Sequence, residues 1–276
     1  MANNPNIPIN TAALVIADPQ KPLLDGEVKI ITQYIAQGGN LLWLLEPGDL
    51  QNMEVIAESL GIETIPGMIV DPNTQLLGLN DPRFTVIPEY PRNIITQNLD
   101  SMTIFPTAQA FEVFENKEWV TTTLLETLSR TWSETQNALG NLVFNSASDT
   151  QGPLTIGLSL TRTIMPDETD LDIESDMTQE TSSKQNNQQR IVIIGDSDFS
   201  SDAYLGQAGN LDLSMSIINW LVREDAFINI PNKTNIDNAL DLSKNEQIFI
   251  GFSFLLFLPL SLMLTGLFIW FKRRKS

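Results

Sequence analysis

Residues 248–271 form a run of 24 residues without one charged side chain, closed by Lys272, Arg273, Arg274 and Lys275. No other stretch constrains the chain as tightly. As a helix rising about 1.5 Å per residue it would reach roughly 36 Å, more than the ~30 Å hydrocarbon core of a bilayer. The hydroxyls of Ser253, Ser261 and Thr265 can bond back to helical carbonyls, Pro259 predicts a kink, and Trp270 stands where an interfacial aromatic belongs. The four cations predict a cytoplasmic tail over 272–276 and place residues 1–247 outside. The expectation is a single transmembrane helix over 248–271 in a cytoplasmic (inner) membrane, with the lipid bilayer as a partner and the main domain extracytoplasmic. Ser261, Thr265 and Gly266 fall near one face of that helix, and such small residues predict close approach of a partner helix.

The amino-terminal sequence MANNPNIPIN has neither the basic nor the apolar region of a signal peptide. This orientation therefore leads us to expect a longer protein with an earlier span upstream. Setting the four terminal cations aside leaves 12 Lys and Arg against 34 Asp and Glu, a net charge of −22 before the span. Such a surface repels the phosphate backbone, so no nucleic-acid partner is expected. The absence of Cys and His excludes disulfides, thiol chemistry, a Ser/His triad and imidazole metal ligands.

Residues 12–17 (AALVIA) read as a strand buried on both faces and stopped by Asp18-Pro19. Val28, Ile31 and Ile35 then recur at helical spacing, with Asp25 as a candidate cap and Gly38-Gly39 as the stop. Residues 41–45 (LLWLL) form a second apolar strand. Met53, Ile56, Ala57 and Leu60 mark a second helix ended by Gly61, and an extended stretch follows over 64–70. Strand, helix, strand, helix, strand predicts right-handed parallel crossovers. Residues 71–107 read as proline-punctuated loops, and strands are expected over 120–125 and 153–163. Residues 191–194 (IVII) make a further apolar strand, followed by a helix over about 213–223.

The resulting division is an α/β domain whose first part spans 1–165 and whose last strand and helix span 190–231. A segment over 166–189, with seven acids and one lysine, is expected to be disordered, and a polar connector covers 232–247. Ligands of an open parallel sheet bind beyond the carboxyl ends of its strands, and three such ends here carry acids: Asp18, Glu46, and Asp196 with Asp198. Gathered in one crevice these carboxylates would suit Mg²⁺, Ca²⁺ or a polar ligand, whereas acids after strands more often bond to loop amides and shape turns. The stretch Asp196-Ser197-Asp198 partly resembles the nucleophile loop of haloacid-dehalogenase-type phosphatases. Gly195 intervenes before it, and Ser200 stands where Thr or Val is usual.

Taken in order, YIAQGGNLLWLLEP (34–47), IVIIGDSDF (191–199), GNLDLSMSIINWL (209–221) and the terminal apolar run resemble the ABC-transporter auxiliary family, including its GldG-like gliding-motility members. Glu46 stands where an Asp is more usual in that family. The resemblance implies a flavodoxin-like three-layer domain with a mostly parallel sheet, followed by one C-terminal transmembrane helix. It further implies a non-enzymatic, membrane-anchored auxiliary or solute-binding-like subunit with no cofactor, whose partners are an ABC permease and ATPase. A phosphate-binding Gly-x4-Gly-Lys-Ser/Thr loop is lacking, so energy would come from the partner. A membrane-anchored sensor or scaffold binding a cation or glycan at the acidic crevice is the alternative reading.

Overall fold

The computed structural model describes residues 6–8, 10–74, 78–135, 142–164, 188–223 and 258–274. The chain divides into two units, Met1–Pro231 and Asn232–Ser276.

In the first unit, β1 (Leu14–Ala17) and β2 (Leu41–Leu44) are joined through α1 (Asp25–Ala36) and pair in parallel. Asp25 is the first helical residue rather than the cap, and the Glu27 carboxylate reaches back to accept the Leu24 N–H at 3.1 Å. Every residue of β2 is buried, because alternate side chains enter different layers. Leu41 and Trp43 pack in one layer with Val28, Ile31 and Ile35 of α1. Leu42 and Leu44 pack in the other with Leu213, Ile217 and Trp220 of α3 (Asn210–Leu221). A strand covered on both faces has no polar face, which accounts for the unbroken LLWLL run. Each such side chain contributes about 1.5–3 kcal/mol of transfer free energy.

The strand β12 (Gln188–Ile194) lies parallel to β2, with Ile191 opposite Leu41, and begins two residues inside the segment expected to be disordered. Gln189 is fully buried, and its amide donates to Ile35 O at 2.9 Å and Gly39 O at 2.6 Å, closing the end of α1. The rest of that acidic segment lies outside the described residues. Asn40 ties three distant segments together. Its amide donates to Ala12 O at 3.1 Å and Leu221 O at 2.9 Å, and its carbonyl accepts the Arg190 N–H at 2.9 Å.

Beyond β12 the sheet departs from the sequence-based expectation. Its order is β1-β2-β12-β11-β7-β3, with β11 (Thr155–Thr163), β7 (Phe111–Val113) and β3 (Ile62–Thr64), and β8 (Val120–Glu126) pairs with β11 off this path. Only β1–β2 and β2–β12 are parallel, and β12–β11, β11–β8, β11–β7 and β7–β3 are antiparallel. The sheet is mixed and mostly antiparallel, not the mostly parallel sheet of a flavodoxin-like domain. The physical reason lies in the connections. A parallel return requires a crossover helix with an apolar stripe. The sequence between β11 and β12 is acidic and has no such stripe, so β12 runs back alongside β11. The helix α2 (Glu54–Leu60) leads through Gly61, at φ 73°, into β3 at the far edge rather than beside β2.

The ladder between β11 and β8 changes register on either side of Gly157, where a Cβ would lie 2.9 Å from the Leu125 side chain. Ile156 joins the α3 layer and Leu158 and Leu160 the α1–α2 layer. Two small antiparallel sheets complete the unit: β4 (Met68–Val70) with β9 (Trp132–Glu134) and β10 (Thr150–Gln151), and β5 (Thr85–Ile87) with β6 (Thr103–Phe105). The fully buried Asp71 carboxylate ends β4 in a two-pronged bond with Arg130, at 2.8 and 2.7 Å.

The second unit contributes α4 (Leu258–Arg274), 17 residues that end in Lys272, Arg273 and Arg274. Among the described residues no helix is long and apolar enough to cross a membrane. The uncharged part of α4 rises only about 21 Å, against a core of about 30 Å, which corrects the expectation of a transmembrane helix over 248–271. Residues 248–257 of that expected span lie outside the described residues. Thr265 and Gly266 are exposed on α4, which also contains Ser261.

Candidate functional site

The parallel part of the sheet brings its three carboxyl ends together, and with them Asp18, Glu46, Asp196 and Asp198. Asp18 leaves β1 at φ 33°, its N–H donating to Leu44 O at 3.0 Å, and Gln20 donates to its carboxylate. The Leu45 N–H donates to Ile194 O at 2.9 Å, so the chain after β2 stays bound to β12 until Glu46 turns into the crevice.

Glu46 is the hub. One carboxylate oxygen accepts the Ser197 N–H at 2.7 Å, the Ser197 hydroxyl at 2.8 Å and the Asp198 N–H at 3.2 Å. Its other oxygen accepts the Thr107 hydroxyl at 2.6 Å. Asp196 is fully buried, with one oxygen accepting the Thr107 N–H and the other the Phe199 N–H, both at 2.8 Å. These bonds join the loop after β2, the loop after β12 and the chain after β6. Charge-assisted bonds from backbone amides are strong individually, and together they fix all three loops.

Burial, and next the charge of Glu46, push the Asp196 carboxyl well above the usual carboxylate range, against the pull of its two amide donors. Asp198 is raised by burial and by Glu46. Asp18 is raised by burial, Glu46 and Asp198, with the Gln20 bond opposing. The Mg²⁺ or Ca²⁺ reading lacks a donor set. Among the described residues no group of three or more Asp, Glu, His or Cys side chains could hold a metal ion.

Two residues essential to this crevice were not anticipated from the sequence. Thr107 carries both a hydroxyl and an amide into it. Gln109 straps it, with its N–H donating to Gly195 O at 2.6 Å, its side-chain oxygen accepting the Gly48 N–H at 3.1 Å and its amide donating to Ile65 O at 3.3 Å. The strap explains Gly195, where a Cβ would stand 1.9 Å from Gln109 O. Neither Thr107 nor Gln109 sits in a periodic segment, so no spacing marks them.

A second concavity lies elsewhere. A groove of about 620 Å³ is lined by Leu50, Ala57, Ile62, Phe114 and the carboxylates of Asp49, Glu54, Glu58, Glu63 and Glu115, and includes none of the four crevice acids.

Residues 1–229 match the family model described as ABC-type uncharacterized transport system. The mmIFT52 N-terminal domain is similar in structure at 14% identity and a TM-score of 0.50, over 78% of each chain, which bears on the fold alone. A thua-like protein from Bacteroides uniformis aligns at 11% identity and a TM-score of 0.37, over 76% of this chain and 69% of that one, too distant to bear on either fold or function. No curated protein matches the sequence.

Proposed function

Since the chain belongs to the ABC-type uncharacterized transport system family, we propose that it is a non-enzymatic auxiliary subunit working at the membrane with a separate ABC permease and ATPase. The observation that carries this reading is the family match over residues 1–229. The domain Met1–Pro231 faces the extracytoplasmic side and acts by binding rather than by catalysis. The state of the crevice favours this over a cation sensor or a phosphatase: the oxygens of Glu46 and Asp196 are engaged by donors from the domain's own loops, so these two acids serve the fold. Energy must come from a nucleotide-hydrolysing partner, because the sequence contains no phosphate-binding loop of its own.

The test is recovery of the complex. The tagged chain purified from membranes in mild detergent should bring down a polytopic permease and an ATPase, and a preparation containing neither refutes the assignment. Orientation is checked separately through Lys29, which is exposed on α1. The chain has no native cysteine. Lys29→Cys should therefore react with a membrane-impermeant maleimide in intact cells, and protection of that thiol would place the domain on the other side.

A further inference from the structure

The strand β3 ends the main sheet, and among the described residues one of its edges has no partner strand. Its register with β7 shows which backbone groups face outward. The Phe114 N–H donates to Gly61 O and the Ile65 N–H to Ala110 O, both at 2.8 Å. In an antiparallel ladder this alternation turns Gly61, Glu63 and Ile65 toward β7 and leaves the N–H and C=O of Ile62 and Thr64 pointing away. Neither residue makes a backbone hydrogen bond to another described segment. An open edge of this kind is a template for an added strand.

The groove of about 620 Å³ lies along this edge, with Gly61, Ile62, Glu63 and Thr64 in its wall. Phe114 is 47% exposed there, an aromatic side chain left without cover. Asp49, Glu54, Glu58, Glu63 and Glu115 are all exposed, and no lysine or arginine lines the groove. None of the five forms an ion pair among the described residues. Glu63 also stands directly opposite Glu112 across the β3–β7 ladder, a like-charge pairing that destabilises a sheet unless a cation lies between them.

We propose that this edge is the docking groove for an extended Lys- or Arg-rich segment of a partner protein, which joins β3 as a further strand. Backbone bonds to Ile62 and Thr64 hold the segment. Its cations meet Glu58, Glu63 and Glu115, and its apolar side chains meet Phe114 and Leu50. The inference stands independently of the transport assignment.

The probe is a fluorescein-labelled alternating Lys-Val peptide, titrated by anisotropy into the full chain in mild detergent at about 0.15 M salt, with a Glu-Val peptide as control. Saturable binding of the Lys-Val peptide alone is expected. The double variant Glu58→Lys, Glu115→Lys should weaken it more than tenfold. Glu89→Lys with Asp100→Lys, the same change of charge on exposed sites outside the groove, should leave it within twofold. Equal losses in the two pairs would mean that the overall charge of −18 attracts the peptide, and would overturn the proposal. Thr64→Pro deletes one outward N–H, retains the bonds to β7 and is tolerated at a sheet edge. It should weaken Lys-Val binding about tenfold without affecting spermine, since a polyamine needs no backbone partner. Amide exchange on the unmodified chain covers the case in which this variant misfolds. The amides of Ile62 and Thr64 should gain protection with the peptide, and unchanged exchange there rules out strand addition.

Discussion

The crevice and the β3 groove each gather carboxylates, yet they use them in opposite ways. In the crevice, Glu46 and Asp196 accept six hydrogen bonds between them, and the acids hold the loops of the domain itself. In the groove, five carboxylates line an open edge without an ion-pair partner among the described residues. Acid content alone therefore does not identify a binding site. What separates the two regions is whether donors from the same domain already surround the oxygens. Where they do, the charge serves folding, and where they do not, it is available to something else.

The sharpest way to break this contrast is to truncate the hub. Glu46→Ala removes the acceptor for two backbone amides and two hydroxyls, and should cost about 3 kcal/mol in urea unfolding followed by tryptophan fluorescence. A loss below about 0.5 kcal/mol would mean that the crevice loops are held by something else.

A conservative change separates shape from charge. Glu46→Gln keeps an acceptor for Ser197 and Asp198 and offers an amide to Thr107, while removing the repulsion felt by Asp196, Asp198 and Asp18. It should cost at least 2 kcal/mol less than Glu46→Ala. The carboxyls of Asp18 and Asp198, followed by NMR titration, should move back toward the ordinary carboxylate value.

The direction of the pH effect follows from the same three acids, whose folded-state pKa values are raised. The native state holds these protons to higher pH than the unfolded chain does. Their contribution to stability is present below the unfolded value of 3.8 and is lost as pH rises from there through the folded values. Glu46→Gln should flatten this slope in pH-dependent denaturation, and an unchanged slope would show that Glu46 is not its source.

The groove should give the smallest change in stability. Glu63→Lys turns the pairing with Glu112 from repulsive to attractive, and should raise stability by about 0.5 kcal/mol, a gain that added salt erodes. A loss of a kcal/mol or more would mean that Glu63 already has a structural partner, and would bring the groove closer to the crevice in kind.

Legibility from the sequence follows the same physical line. The apolar runs at 41–45 and 191–194 and the helical spacing of Val28, Ile31 and Ile35 identify the parallel core, because double-sided burial leaves a continuous signal. The run at 12–17 reads the same way but forms the edge strand β1, with Val15 51% exposed rather than buried on both faces. The acids at the three strand ends could be placed near one another for the same reason. In the antiparallel half the longer strands β8 and β11 fall where strands are expected, over 120–125 and 153–163. The strands β3, β5, β6 and β7 are each three residues long, too short for any period, and so the antiparallel pairing stayed out of reach. The start of α3 shows a smaller failure. It begins at Asn210, whose amide donates to Ile104, Phe199 and Tyr204 carbonyls, so tertiary bonds rather than apolar spacing set that boundary. The 14 uncharged residues of α4 belong to an apolar run of 24 that reads as a span, yet the described helix is too short to be one.

The bond from Asn40 to Arg190 spans 150 positions of chain, and it closes the same seam as the pairing of β2 with β12. During synthesis at about 5–20 residues per second, β2 is complete roughly 8–30 s before its second neighbour exists. For that interval the most apolar strand of the domain has one edge open. The growing polypeptide on the ribosome, more than the finished domain, is the species in greatest need of a chaperone.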